Sequence, residues 1–134
     1  MAYFRKLIWE SCEKNDSSNE DAEIVKILAP LTDNPNAPNK YGFSPIYWAA
    51  KNGNTEIVKI LAPLTDNPNA PNRHGDTPIL IAAENGHIEI VKILAPFTDN
   101  PNAPNFRGMT PILLARANGH REIVKILTFF GRQS

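Results

Sequence analysis

The sequence repeats itself with a period of 33 residues. Residues 39–71 read NKYGFSPIYWAAKNGNTEIVKILAPLTDNPNAP, residues 72–104 read NRHGDTPILIAAENGHIEIVKILAPFTDNPNAP, and residues 105–134 begin a further copy, NFRGMTPILLARANGHREIVKIL. The phrase EIVKILAP at residues 23–30 marks residues 1–38 as a divergent unit of the same kind. Such repeats stack side by side, because one unit is too small to bury its own apolar face. We therefore predict a single domain of four stacked units, in which the first and the last act as caps.

Local signals predict two short helices in each unit. The first helix begins at a hydroxyl residue followed by proline, a favourable cap and first helical position. These pairs are Ser44-Pro45, Thr77-Pro78 and Thr110-Pro111. It ends at a glycine, Gly53, Gly86 or Gly119, which can adopt the left-handed conformation. The second helix, EIVKIL, is followed by Pro30, Pro63 or Pro96, and proline stops a helix. Helices this short are unstable alone in water, so stacking must stabilise them.

The motifs SPIYWAA, TPILIAA and TPILLAR resemble the T-P-L-H-x-A-A motif of the ankyrin repeat, and each is followed by a glycine and an EIVKIL helix. The resemblance covers nearly the whole chain. It implies an all-α solenoid of helix-turn-helix units with β-turn fingers at right angles to the helices. The family's histidine is replaced by Tyr47, Leu80 and Leu113, so its hydrogen bond to the Ser or Thr hydroxyl is predicted to be lost. The near-identity of the repeats is also similar to that of designed ankyrin repeat proteins, which suggests an engineered or recently duplicated array.

Composition and charge argue against several classes of partner. Lysine plus arginine and aspartate plus glutamate total 14 each, so the formal net charge is zero. No strong field attracts nucleic acid or acidic membranes, and we expect neither as a partner. The N-terminal apolar stretch is interrupted by charges, which argues against a signal peptide or a membrane span. Cys12 is the only cysteine and is predicted to be a small buried residue. A cytoplasmic monomer fits these features.

The chain shows no pattern typical of an enzyme. It lacks a Cys/His cluster at metal spacing, a phosphate-binding glycine loop and a nucleophile elbow. The histidines are His74, His87 and His120, and the last two occupy the position where Asn54 stands in another repeat. A position that accepts asparagine is interpreted as structural. We therefore predict no catalysis, no cofactor, no metal and no small-molecule substrate.

The two full repeats differ at ten of 33 positions, and these differences are concentrated on one predicted surface. Six paired differences lie at the finger tip or on the first helix: Lys40/Arg73, Tyr41/His74, Phe43/Asp76, Tyr47/Leu80, Trp48/Ile81 and Lys51/Glu84. The last finger adds Phe106, Arg107 and Met109. A constant framework with one variable surface is typical of a modular binder, and aromatic residues beside cations are typical of interface hot spots.

These observations predict a protein-interaction module that binds a partner protein with its concave face and finger tips. The predicted contact residues are Lys40, Tyr41, Phe43, Tyr47, Trp48, Lys51, Arg73, His74, Asp76, Glu84, Phe106, Arg107 and Met109. Tyr41, Phe43 and Phe106 are expected to face solvent because each lies beside a turn glycine. Trp48 is left open between core and contact. The alternative is a designed or duplicated structural scaffold without a dedicated partner. In that case the differences between the repeats reflect neutral drift of exposed residues.

Overall fold

The computed structural model describes residues 2–14 and 19–133, and within these ranges it contains eight α-helices and no β-strand. The helices are α1 (Ala2–Glu13), α2 (Asn19–Leu28), α3 (Pro45–Asn52), α4 (Thr55–Leu61), α5 (Pro78–Asn85), α6 (Ile88–Leu94), α7 (Pro111–Ala117) and α8 (Arg121–Gln133). Successive helices pack in four helix-turn-helix pairs, and each pair falls within one of the four predicted units. The predicted all-α repeat architecture is confirmed.

The first helix of each unit begins as the sequence predicts. The Ser44 Oγ accepts a hydrogen bond from the Tyr47 N–H at 3.4 Å, and the Thr77 Oγ1 accepts one from the Leu80 N–H at 3.1 Å. The Thr110 hydroxyl does the same for α7. The hydroxyl thus satisfies one of the unpaired amides at the start of each helix. The Ser or Thr hydroxyl therefore still has a hydrogen-bond partner in the backbone. The histidine that was expected to bond it, three residues later, is replaced by tyrosine or leucine.

Proline determines where the second helix of the internal units ends. Helix α4 ends at Leu61 and α6 at Leu94, and each is followed by a three-residue 3₁₀ turn that contains Pro63 or Pro96. Phe129 occupies the equivalent position in the last unit, and α8 continues through it. The difference follows from chemistry, because proline lacks the amide that would continue the helix.

The core lies between two layers of helices. The odd-numbered helices form one layer and the even-numbered helices the other. The odd-numbered helices contact each other more extensively than the even-numbered ones, and we take the odd-numbered layer with its fingers as the concave face expected from the sequence. The largest fully buried side chains are Ile8, Ile46, Ile57, Leu61, Ile79, Ile90, Leu94, Ile123 and Leu127. Each contributes about 1.5–3 kcal/mol by burial.

In the first unit, the sequence predicts a lengthened link between the two helices at residues 15–20, NDSSNE, which are polar throughout. Residues 15–18 of that link lie outside the described residues, but Asn19 and Glu20 belong to α2. Cys12 is fully buried, as predicted, and burial raises the pKa of its thiol far above the usual range, with smaller contributions from Asp21 and Glu13. A buried neutral thiol is a poor nucleophile.

Side chains and backbone groups link each unit to the next at equivalent positions. The Asn85 Nδ2 donates to the Lys51 carbonyl at 3.2 Å, and a ring nitrogen of His87, Nε2, lies 3.1 Å from the same oxygen. His120 repeats this contact with the Glu84 carbonyl at 3.1 Å. The predicted structural role of these two histidines is confirmed, because both rings hold the end of the preceding unit's first helix.

Candidate functional site

Each finger is a five-residue turn built around an asparagine. The Asn39 Oδ1 accepts hydrogen bonds from the Tyr41 N–H at 2.9 Å and the Phe43 N–H at 3.1 Å, while the Gly42 N–H donates to the Asn39 carbonyl. Asn72 and Asn105 form the same turn in the next two fingers. A side chain that accepts from nearby amides in this way fixes the turn. The backbone of these three fingers is therefore fixed in the same way.

Neighbouring fingers are joined through their backbones. The Arg73 N–H donates to the Tyr41 carbonyl at 2.9 Å, and the Phe106 N–H donates to the His74 carbonyl at 3.0 Å. Gly42 has a φ of +81°, and a Cβ there would lie 3.0 Å from the Asn72 Cα. Glycine is needed at this position both for its conformation and for the close approach of the next finger. The three fingers therefore form one continuous edge.

Four aromatic rings meet between the first finger and α3. The Phe43 ring lies 5.1 Å from Tyr47 in an edge-to-face arrangement and stacks on Trp48 at 5.9 Å. The Tyr47 and Trp48 rings lie edge to face at 5.6 Å, and His74 approaches Phe43 at 6.2 Å. Such pairs add about 0.5–1.5 kcal/mol each beyond burial. We call Phe43, Tyr47, Trp48 and His74 the aromatic cluster.

Cations cover the aromatic rings around this cluster. The Lys40 Nζ lies 5.0 Å from the centre of the Tyr41 ring, and the Arg73 guanidinium lies 4.5 Å from the same ring. The Lys51 Nζ lies 5.1 Å from the centre of the Trp48 ring. These distances are typical of cation–π contacts. The cations therefore hold the rings in place on the surface.

A groove of about 390 Å³ continues this surface toward the C-terminus. Its walls are the second and third fingers, and its floor comes from α5 and α7. The residues that line it are Arg73, His74, Asp76, Leu80, Ile81, Glu84, Asn105, Phe106, Arg107, Met109 and Leu114. Seven of them are among the predicted contact residues, and the other six predicted residues lie at the aromatic cluster and its cations. The structure thus brings the predicted set together on one surface.

Exposure differs among the predicted residues. Tyr41 and Phe106 are exposed by 42% and 79%, as expected from their places beside turn glycines. Phe43 was expected to face solvent, but it is half-buried because its ring packs into the aromatic cluster. Trp48 is also half-buried, packing against the core on one side while Lys51 covers its ring.

Tyr47 is the most enclosed of the predicted contact residues, with 7% of its surface exposed. Burial raises the pKa of its hydroxyl to about 12, and the carboxylates of Asp76 and Glu84 add to the shift. The hydroxyl is therefore neutral at physiological pH. Tyr47 supports the rings of Phe43 and Trp48 from beneath more than it presents surface of its own.

Sequence reasoning missed part of the groove floor. Leu80, Ile81 and Leu114 line the groove but were absent from the predicted contacts. The repeat itself held the signal, because Leu80 occupies the position of Tyr47, and Ile81 and Leu114 occupy that of Trp48. The pairs Tyr47/Leu80 and Trp48/Ile81 were recognised as variable, but only their aromatic members were predicted as contacts.

One finger position shows a local conflict between folding and surface chemistry. The Asn105 Nδ2 donates to the Asp76 carboxylate at 2.8 Å. The equivalent Asn72 Nδ2 is buried without a hydrogen-bond partner, since Phe43 stands where Asp76 does in the next finger. An unsatisfied buried donor costs about 1–3 kcal/mol. Phe43 is thus unfavourable for this turn.

A metal-binding cluster and a membrane-spanning helix are both missing from the described part of the chain. Residues 2–14 and 19–133 contain no group of three or more His, Cys, Asp or Glu side chains placed to hold a metal ion. Among the same residues, no helix is both long and apolar enough to cross a membrane. The candidate site is the surface of fingers and first helices that holds the aromatic cluster and the groove.

Comparison with known proteins identifies one family. The sequence model for ankyrin repeats in three copies matches residues 14–105 and, in a second overlapping match, residues 64–131. Together the two matches span most of the chain. A search of curated proteins gave no significant match.

Proposed function

Because this chain belongs to the ankyrin-repeat family, whose members generally mediate protein interactions, we propose that it binds a partner protein with its concave surface. The proposed contact area runs from Tyr41 and the aromatic cluster across the groove to Phe106, Arg107 and Met109. It combines exposed aromatic rings, cations and an apolar floor, which is the composition of interface hot spots.

The observation that carries the proposal is the choice of phenylalanine at position 43. In the next finger, Asp76 stands at the equivalent position and accepts a hydrogen bond from the Asn105 Nδ2. Phe43 offers no such acceptor and leaves the Asn72 Nδ2 without a partner. A residue that breaks a local folding rule is expected where function requires it. Phe43 instead extends a half-exposed aromatic surface, which supports binding as the reason for its presence.

The repeat framework supports the same reading. The even-numbered helices α4 and α6 share the sequence EIVKIL, and the turns that follow them share TDNPNAP. Most of the ten differences lie on the finger and odd-numbered-helix side, where the groove and aromatic cluster are found, while Thr55/Ile88 and Leu64/Phe97 lie on the even-numbered side. Neutral drift would have distributed the differences evenly over the exposed positions of both sides. Near-identical framework repeats also suit a duplicated or designed array.

The proposal is tested by capturing partners on the immobilised full chain and on two matched variants. Tyr41 and Phe97 are both exposed by 42%, but Phe97 lies on the side of the even-numbered helices. We expect Tyr41→Ala to weaken capture by about 2 kcal/mol, or roughly 30-fold in Kd, because exposed aromatic anchors dominate such interfaces. Phe97→Ala should leave capture unchanged, and neither variant should shift the melting temperature by more than a few degrees.

A second variant separates binding from folding at the position that carries the argument. Phe43→Asp restores an acceptor for the Asn72 Nδ2 and removes the central ring of the aromatic cluster. We expect binding to be lost while the free energy of unfolding changes by less than about 1 kcal/mol, since the new hydrogen bond offsets the lost packing. Unchanged capture by both Tyr41→Ala and Phe43→Asp would instead indicate a scaffold that does not bind through this surface.

A further inference from the structure

Cations on the two sides of the molecule have different partners. On the even-numbered helices, Lys59 pairs with Glu56 at 3.3 Å and Lys92 pairs with Glu89 at 3.3 Å. Lys125 forms the same pair with Glu122 at 3.6 Å. Each of these three lysines therefore has a carboxylate one turn earlier on its own helix.

The cations around the aromatic cluster are arranged differently. Lys40, Lys51 and Arg73 lie over the rings of Tyr41 and Trp48, and within residues 2–14 and 19–133 none of the three forms an ion pair. Arg73 also bonds the His74 ring at 3.4 Å. Three positive charges thus lie around the aromatic cluster, and no carboxylate of the described residues holds any of them in an ion pair.

The carboxylates of the concave surface lie in the groove. Asp76 and Glu84 both line it, and Asp76 already accepts a hydrogen bond from Asn105. The surface is therefore divided into an aromatic half flanked by Lys40 and Lys51 and a groove that contains both acidic and basic residues, and Arg73 lies where the two meet. This division sets a requirement for any partner, because like charges placed opposite each other are strongly disfavoured in an interface.

Building on the proposed function, we propose that the partner presents an extended acidic segment with a large apolar side chain. The apolar side chain packs against Phe43 and Trp48. Carboxylates on either side of it accept hydrogen bonds from Lys40, Lys51 and Arg73, whose N–H groups remain available while the cations lie over the rings. Removing water from these pairs strengthens both the ion pairs and the cation–π contacts.

The repeat supplies a matched control for the test. In the charge variant, Lys40, Lys51 and Arg73 are all replaced by glutamine. In the control variant, Lys59, Lys92 and Lys125 are replaced by glutamine, so the net charge falls by the same amount on the opposite side. The probe is a phage-displayed library of random dodecapeptides, selected on the full chain and on each variant.

We expect the selected peptides to be enriched in aspartate and glutamate around an aromatic or leucine residue. Fluorescence anisotropy with one such synthetic peptide should show binding about 3-fold to 150-fold weaker in the charge variant and unchanged in the control variant, because three exposed pairs of about 0.2–1 kcal/mol each are lost. Binding to the unmodified chain should weaken as salt concentration rises, because salt screens exposed charges.

Two contrary outcomes are distinguishable. Peptides that require Tyr41 but lack acidic enrichment, and that bind the charge variant as well as the unmodified chain, would overturn the acidic-partner inference and leave the proposed binding surface intact. Selection of no peptide whose binding depends on Tyr41 would count against the binding surface and the acidic partner together.

Discussion

The third unit, residues 72–104, has a neighbour on each side, whereas within the described residues the fourth unit has one only on its N-terminal side. Leu80 and Leu113 occupy the same repeat position, but they are exposed by 2% and 44%. Gly86 lies against the His120 ring, while nothing lies within 4 Å of a Cβ built at Gly119. Near-identical local sequence therefore produces different environments.

This difference shows which properties a repeat carries by itself and which come from stacking. Both units begin their first helix with the same hydroxyl cap and follow it with a glycine at positive φ. These features depend on residues close in sequence and do not change with position in the array. Burial depends on the next unit, which is how nearest-neighbour stacking stabilises a solenoid.

The largest expected effect comes from leucine-to-alanine replacements at the paired positions. Leu80→Ala should lower the free energy of unfolding by about 2–5 kcal/mol, because the cavity lies between two units. Leu113→Ala removes the same atoms from a half-exposed position and should cost about 1 kcal/mol or less. Urea unfolding of both variants measures the contrast. Equal losses would show that burial in the fold does not decide the cost.

Much of the fold could be predicted from the sequence because its determinants are local. Ser44 and Thr77 cap helices through amides three residues away, and Pro63 acts on its own backbone. The contacts that sequence reasoning misjudged are those between units. Phe43 is half-buried because α3 and the next finger surround it, and Leu114 reaches the groove because α7 stacks on α5. The period of 33 identified equivalent positions but not their exposure.

A smaller effect is expected at the paired glycines. Gly119→Ala should cost about 1–2 kcal/mol, since φ is +78° and only the left-handed conformation opposes the new side chain. Gly86→Ala should cost at least about 1 kcal/mol more, because its Cβ would lie 2.7 Å from the His120 Cε1. Replacing His120 by alanine in the Gly86→Ala background should recover that excess. Thermal unfolding of the double-mutant cycle provides the measurement, and an excess that persists without the ring would place its cause elsewhere.

The smallest effect is expected where the two units end differently. Pro96 lies in the 3₁₀ turn that follows α6, while Phe129, its equivalent, lies within α8 and is 57% exposed. In Pro96→Ala, a regained amide favours a longer helix, but the unfolded chain gains conformational freedom, and the two contributions oppose each other. We expect the free energy of unfolding to change by less than about 1 kcal/mol.

The backbone should still leave the helix near Leu94, because the Thr98 N–H donates to the Ala95 carbonyl and the chain must continue to the next finger. Hydrogen exchange of the new amide reports whether α6 has lengthened. Phe129→Pro provides the converse test and should shorten α8, because proline removes the amide that continues the helix at this position. A loss near 3 kcal/mol in Pro96→Ala would mean that the proline fixes a bend required for stacking, and that the internal units differ from the last one in more than the length of a helix.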